Sequence, residues 1–155
     1  MNITEVYDRQ FERVYRVAML YLKNTSDAED AAQTVFLKYI EKNKRFRDEI
    51  HEKAWFITVT RNLCRDMLKA SWRKNASLSE IDEPAYEAEE NSAFSVMMTL
   101  PAKYREVLYM YYYEGYTARE IASILKRSES TVQTQLFDGR KKLRQRLREE
   151  GFDER

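Results

Sequence analysis

Glycine and proline are nearly absent from this chain, with 3 and 2 copies in 155 residues. Strand-rich folds need tight turns built on such residues, and a phosphate-cradling loop needs clustered glycines, so both are excluded. An all-helical fold remains. The 43% of hydrophobic residues is enough for one domain or two small ones and rules out a fully disordered chain. Cys64 is the single cysteine and His51 the single histidine, so neither an internal disulfide nor a Cys/His metal site is expected, and no cofactor is. The thiol content fits a reducing, cytoplasmic setting. No apolar run is long enough to span a membrane, and polar Asn2, Thr4 and Glu5 stand where a signal peptide would be basic and then apolar.

Periodicity divides the chain. Tyr7, Phe11, Val14, Ala18 and Tyr21 recur at steps of three and four, which predicts a helix from Thr4 to Leu22. Ser26 with Glu29 reads as a capping box opening a second helix that ends near Lys42. Its inner stripe is Ala28, Ala32, Val35 or Phe36, and Tyr39; Asp27, Asp30, Gln33, Thr34, Leu37 and Lys38 point outward. Residues 43–51 lack periodicity and form a loop around Phe46. A third helix is expected from about Glu52 to Trp72, with Phe56, Val59, Leu63 and Met67 inside and Trp55, Thr58, Asn62, Arg65 and Lys69 on another face.

After an acidic stretch without a helical stripe, Phe94, Met97 and Met98 suggest a short helix. Pro101 suits the first turn of the next, whose inner face is Val107, Leu108 and Tyr111, and Gly115 supplies a left-handed stop. Thr117 with Glu120 is a second capping box, opening a short helix with Ile121, Ala122 and Leu125 inside. Lys126 and Arg127 turn the chain, and Ser128 caps a last, long helix carrying Val132, Leu136, Leu143 and Leu147 inward, with Gly139 a propensity cost of roughly 1 kcal/mol. The expected organisation is a helical domain over 1–72, an acidic linker over 73–91 and a second helical domain over 92–155.

The formal net charge of +1 hides strong segregation. Residues 53–74 carry six basic side chains against Asp66 alone, and residues 126–148 carry eight against Glu129 and Asp138. Between them, residues 77–90 hold six carboxylates and no basic group. Two cationic surfaces joined by an anionic connector suit nucleic acid, although a solvated helix face has the same signature.

A short helix, a three-residue turn and a longer basic helix are the parts of a helix-turn-helix. On the last helix, Glu129, Ser130, Gln133, Thr134 and Phe137 would read base edges, and the residues from Arg140 onward would hold phosphates. The alternative is a helical hairpin with a basic solvated face. On the third helix, Trp55, Asn62 and Arg65 have the chemistry to stack on, hydrogen-bond and neutralise a single strand, with Phe46 and Arg47 beside them to take an unstacked base. For Trp55 taken alone, a place in the core is the better reading. No catalytic residues emerge, since Asp27, Glu29 and Asp30 are explained as helix-dipole partners and no nucleophile or phosphate loop accompanies them.

Asp27-Ala28-Glu29-Asp30, Gln33, Phe36-Leu37, Phe46-Arg47, Ala54-Trp55, Arg61-Asn62 and Asp66 together resemble region two of the extracytoplasmic-function (ECF) group of bacterial RNA polymerase sigma factors. Leu100-Pro101, Arg105 to Leu108, Tyr112, Glu114 to Thr117, Glu120-Ile121-Ala122, Leu125, Ser128, Thr131-Val132 and Arg140 to Leu143 resemble region four. The resemblance implies a non-enzymatic two-domain factor that binds core polymerase and opens promoters, with no small-molecule substrate. It assigns Asp27, Asp30, Gln33, Phe36 and Leu37 to the clamp helices of the β′ subunit, with the β subunit as a further contact. Minus-ten recognition falls to Phe46, Arg47, Trp55, Thr58, Arg61, Asn62, Arg65 and Lys69, and minus-thirty-five recognition to Ser130, Thr131, Gln133, Thr134, Phe137, Arg140, Lys141 and Lys142. The acidic connector would thread the polymerase, composition alone fitting a solubilising tether equally well, and an anti-sigma protein is an implied partner. Gln133, Gln135, Asp138 and Lys126-Arg127 depart from the family pattern and bear on which promoter is chosen. A stand-alone helix-turn-helix regulator and a protein-binding helical adaptor are the competing functions.

Overall fold

The computed structural model describes residues 2–74 and 93–151, and all regular structure among them is helical. The chain separates into two units, meeting in the sequence between Tyr86 and Glu87. The expected acidic connector lies largely outside the described residues.

The first unit consists of α1 (Ile3–Leu22), α2 (Thr25–Glu41) and α3 (Glu49–Lys74), with α1 packed on both others and α2 on α3. Helix α1 closes on Lys23, which takes the left-handed conformation and donates its amide to Met19. Asn24 then caps α2, its Oδ1 accepting the Asp27 amide at 2.8 Å. The expected Ser26 cap is therefore displaced: Ser26 lies inside the helix, because a competent Asn cap already stands two residues earlier. Asp48 does the same for α3, accepting the His51 amide at 2.8 Å, so α3 begins three residues before the expected start.

The core of this unit is Val6, Val14, Ala32, Val35, Phe36, Tyr39 and Phe56. On α1 the stripe is turned from the expected one: Val6 and Gln10 are buried while Tyr7 is 43% exposed. On α3, Ile57, Thr60 and Cys64 are fully buried beside Phe56, and Val59 and Leu63 pack against the core only in part. Thr60 tolerates burial because its hydroxyl donates to the Phe56 carbonyl at 2.6 Å. Phe36 contacts Tyr7 and Phe56 at ring distances of 4.9 and 5.2 Å, and its core position removes it from the surface face assigned to it above.

The second unit contains α4 (Ala93–Met97), α5 (Ala102–Tyr112), α6 (Ala118–Leu125) and α7 (Glu129–Glu149), with α7 packing against each of the other three. Pro101 is the N-cap of α5, one place before the position expected. Tyr104, Val107, Leu108, Tyr109 and Met110 are buried, while Tyr111, expected inside, is 37% exposed. Gly115 has φ +77°, and beyond it the Tyr116 amide returns to the Met110 carbonyl at 3.1 Å. The Thr117–Glu120 capping box forms in both directions, at 3.1 and 2.9 Å. Gly139 lies where α7 meets α5: an added Cβ would stand 3.3 Å from Leu108 Cδ1 and 3.4 Å from Tyr104 Cβ. The glycine is thus a close-approach residue as well as a propensity cost.

Candidate nucleic-acid and partner surfaces

On α2, the core takes Ala28, Ala31, Ala32, Val35, Phe36 and Tyr39, which leaves Asp27, Asp30, Gln33 and Leu37 exposed. Leu37 is 57% exposed and Ile40 46%. Two carboxylates at the start of a helix and apolar groups farther along it combine charge steering with desolvatable area, as a protein-binding face requires.

The loop before α3 is held by an aromatic cluster. Phe46 lies 6.1 Å from the Tyr39 ring, 5.7 Å from Trp55 and 6.0 Å from Phe56, while Trp55 stands edge-on to Phe56 at 4.9 Å. Both residues are half-buried, so neither ring is the freely exposed platform the sequence suggests, and the core reading of Trp55 holds in part. The Arg47 amide donates to His51 Nδ1 at 3.1 Å, which fixes the loop and gives the one histidine a local structural role. Beside Phe46 a groove of about 360 Å³ is lined by Ile3, Tyr39, Ile40, Asn43, Lys44 and Arg45. Along α3, Thr58 and Arg61 are half-buried, and Asn62, Arg65 and Lys69 are exposed.

Below this surface is a polar network that the apolar pattern does not reveal. Glu52 is 2% exposed, accepting from Arg9 at 3.1 and 2.9 Å and from Gln10 Nε2 at 3.0 Å. The hydrogen bond to Glu52 raises the Arg9 pKa, outweighing the opposing effect of desolvation. Burial, followed by the Glu52 charge, raises that of Tyr39. One signal was available: Glu52 continues the i, i+4 row Phe56, Thr60, Cys64 toward the N-terminus, marking it as a carboxylate on an inner face.

In the second unit, α6 and α7 are joined through Lys126, Arg127 and Ser128, with Lys126 left-handed at φ 59°. Ser128 Oγ accepts the Thr131 amide at 3.1 Å and lies 2.8 Å from Thr131 Oγ1, so Thr131 is tied to the cap. Arg127 pairs with buried Glu106 and donates to Gln135 Oε1 at 2.8 Å. The turn's arginine is therefore committed to holding the turn against α5, and Gln135 faces the motif rather than outward. Ser130, Gln133, Thr134 and Phe137 are exposed along one side of α7, Phe137 at 61%. Gln133 Nε2 reaches Glu129 Oε2 only at 3.4 Å, a weak tie that a better partner can replace. Lys141 lies over the Phe137 ring and Lys142 over Tyr104, each 5.7 Å from the centroid. Arg140 Nε donates to the Tyr112 hydroxyl at 2.8 Å, a contact between α5 and α7 that the sequence reading missed.

Among the described residues there is no cluster of ligating side chains suited to a metal ion, and no helix is long and apolar enough to cross a membrane.

Comparison with known proteins points to one family. Residues 6–74 match the model of Sigma-70 region 2 and residues 94–143 that of Sigma-70, region 4. The chain is 28% identical to the ECF RNA polymerase sigma factor SigM of Bacillus subtilis, over 93% of the chain and 94% of that protein. It is 29% identical to a probable RNA polymerase sigma factor, RfaY, of Xanthomonas campestris, covering 86% of the chain but 37% of that longer protein. Among solved structures, the sigma factor RpoE of Bartonella quintana, crystallised with the anti-sigma factor NepR, superposes with a TM-score of 0.76 at 17% identity, over 94% of this chain and 96% of that one. CnrH, solved with the cytosolic domain of CnrY, gives 0.61 at 19% identity over 94% and 86%. At these identities the structural likeness speaks for the fold.

Proposed function

Because this chain belongs to the ECF group of sigma factors, which bind core RNA polymerase and direct promoter-specific initiation, we propose that its two units divide that work between strand opening and duplex recognition. The observation that carries the division is the presence of an exposed set of base-competent side chains on each unit: Asn62, Arg65 and Lys69 on α3, and Ser130, Gln133, Thr134 and Phe137 on α7. Neither set has the buried nucleophile or base that chemistry on the nucleic acid would need.

On α3 the exposed amide and cations engage the non-template strand of the minus-ten element. Phe46 and Trp55 serve as the packed wall behind the loop, and the adjoining groove receives an unstacked base. Arg47, Thr58 and Arg61 flank this path. On α7, Gln133 pairs with adenine through its N6 and N7 edge, so the minus-thirty-five element carries an A·T pair there. Thr134 and Phe137 meet thymine methyls, and Lys141 and Lys142 hold phosphates. Asp27, Asp30, Gln33 and Leu37 on α2 form the docking face for the β′ clamp helices, with the β subunit as a second contact. An anti-sigma protein is the proposed partner outside the polymerase, and both structural relatives above were solved bound to proteins named in their complexes.

Mobility-shift titration with and without core polymerase tests this reading. Duplex binding that requires core, and weakened core affinity on Asp30→Lys or Leu37→Ala with helical content unchanged, is the expected outcome. Tight duplex binding by the chain alone would make it a stand-alone regulator, and no duplex binding in either case would make it an adaptor.

A further inference from the structure

Tyr112 and Arg140 come from different helices, and their contact has a form that neither packing nor capping requires. Arg140 Nε donates to the Tyr112 hydroxyl at 2.8 Å, and its guanidinium carbon lies 5.3 Å from the Tyr111 ring centre and 5.9 Å from that of Tyr112. The two tyrosine rings stand edge to face at 4.9 Å, so each fixes the other. Three aromatic and polar contacts thus restrain one long surface side chain. Among the described residues the two terminal nitrogens of Arg140 have no hydrogen-bond partner, and the Tyr112 hydroxyl, which accepts from Nε, keeps its own proton to donate. Tyr112 is 53% exposed and Arg140 half-exposed, so these donors are accessible.

We infer that Tyr112 and Arg140 form a composite phosphate clamp, extending the duplex contact of α7 onto α5. A guanidinium fork held by its Nε presents two parallel N–H groups to an oxyanion, and the phenolic O–H adds a third donor from the side. A DNA phosphate is the ligand this position favours. Arg140 follows Gln133 by seven residues, which is two turns of α7 on nearly the same face and about 10 Å along its axis. A recognition helix meets base edges with its N-terminal turns, so with Gln133 at a base edge Arg140, two turns farther along, lies toward the phosphates at the rim of the groove. Tyr112 acts as a positioning residue for Arg140, its hydroxyl proton reaching only a phosphate that the guanidinium already holds. The inference rests on the reading of α7 as the duplex-binding helix.

The test uses holoenzyme assembled from the full chain and core polymerase, on a duplex that this holoenzyme selects from a randomised library. Binding is measured by competition over a range of salt concentrations. Tyr112→Phe keeps the ring and removes the hydroxyl; it should weaken binding about fivefold on selected and scrambled minus-thirty-five sequences alike. Arg140→Ala should weaken it about tenfold and lower the log–log salt slope by about 0.9, the loss of one phosphate contact. The double variant should bind within about twofold of Arg140→Ala alone, since the hydroxyl acts chiefly through the guanidinium. Binding unchanged in Tyr112→Phe, or losses that multiply in the double variant, would overturn the clamp. So would an Arg140→Ala defect confined to assembly with core, which would make the pair a protein contact. Gln133→Ala and Lys142→Ala distinguish the levels of failure: if they weaken binding and Tyr112→Phe does not, only the clamp fails, and if they too are without effect, the duplex reading of α7 fails and the clamp with it.

Discussion

Glu52 is tolerated at 2% exposure because Arg9 and Gln10 supply donors to both of its oxygens. Removing the carboxylate leaves those donors without their acceptor beneath α3, so Glu52→Ala should cost about 2–3 kcal/mol in chemical denaturation, and Glu52→Gln less. A change below about 0.5 kcal/mol would show that the network is solvated. Cys64 is the opposite kind of buried residue, an unpartnered small hydrophobe. Its burial pushes the thiol pKa up to about 12, so at neutral pH it should resist a disulfide reagent until the chain unfolds. Modification of the native protein at the rate of a free thiol would contradict its placement. The sequence exposed such residues unevenly. Asn62, Gln133 and Phe137 stood out as polar or aromatic residues on outer faces, and they are exposed. Tyr112 was legible only as part of the region-four resemblance, because the partner that it holds lies 28 residues away.

At the scale of elements, local signals succeeded where one capping residue had no competitor. Thr117 and Glu120 form the expected box, and Thr117→Ala should lower stability by about 1 kcal/mol in thermal or denaturant melts. Ser26 is not the cap because Asn24 precedes it and opens the helix first. Helical stripes were located to within about one residue's rotation: α3 buries Ile57, Thr60 and Cys64 more deeply than Val59 and Leu63, because two helices cover it and its inner face is wide. Gly139 shows a further limit of periodicity, which records a glycine as a weak helix former and is blind to the helix that crosses it. Gly139→Val should destabilise by about 1–3 kcal/mol, since its branches meet Leu108 and Tyr104, whereas an exposed mid-helix glycine would gain from the same change. Stabilisation of the variant would contradict the α5–α7 contact.

For the whole molecule, segregated charge and two sets of helical stripes made the two-unit, all-helical plan legible. What the sequence could not supply was how far the loop aromatic is free to meet a base, because Phe46 looks exposed by position and is half-buried by packing against Tyr39 and Trp55. The division of labour proposed for the two units rests instead on the exposed side chains of α3 and α7. If α3 opens the strands and α7 only holds duplex, loss of Asn62 spares docking and harms opening. Permanganate footprinting of a selected promoter, with core polymerase and either the parent chain or Asn62→Ala, tests this directly. Under this division of labour both form a polymerase–promoter complex at similar concentrations, and thymines around the start site become reactive with the parent and several-fold less so with the variant. Equal reactivity in the two would contradict it.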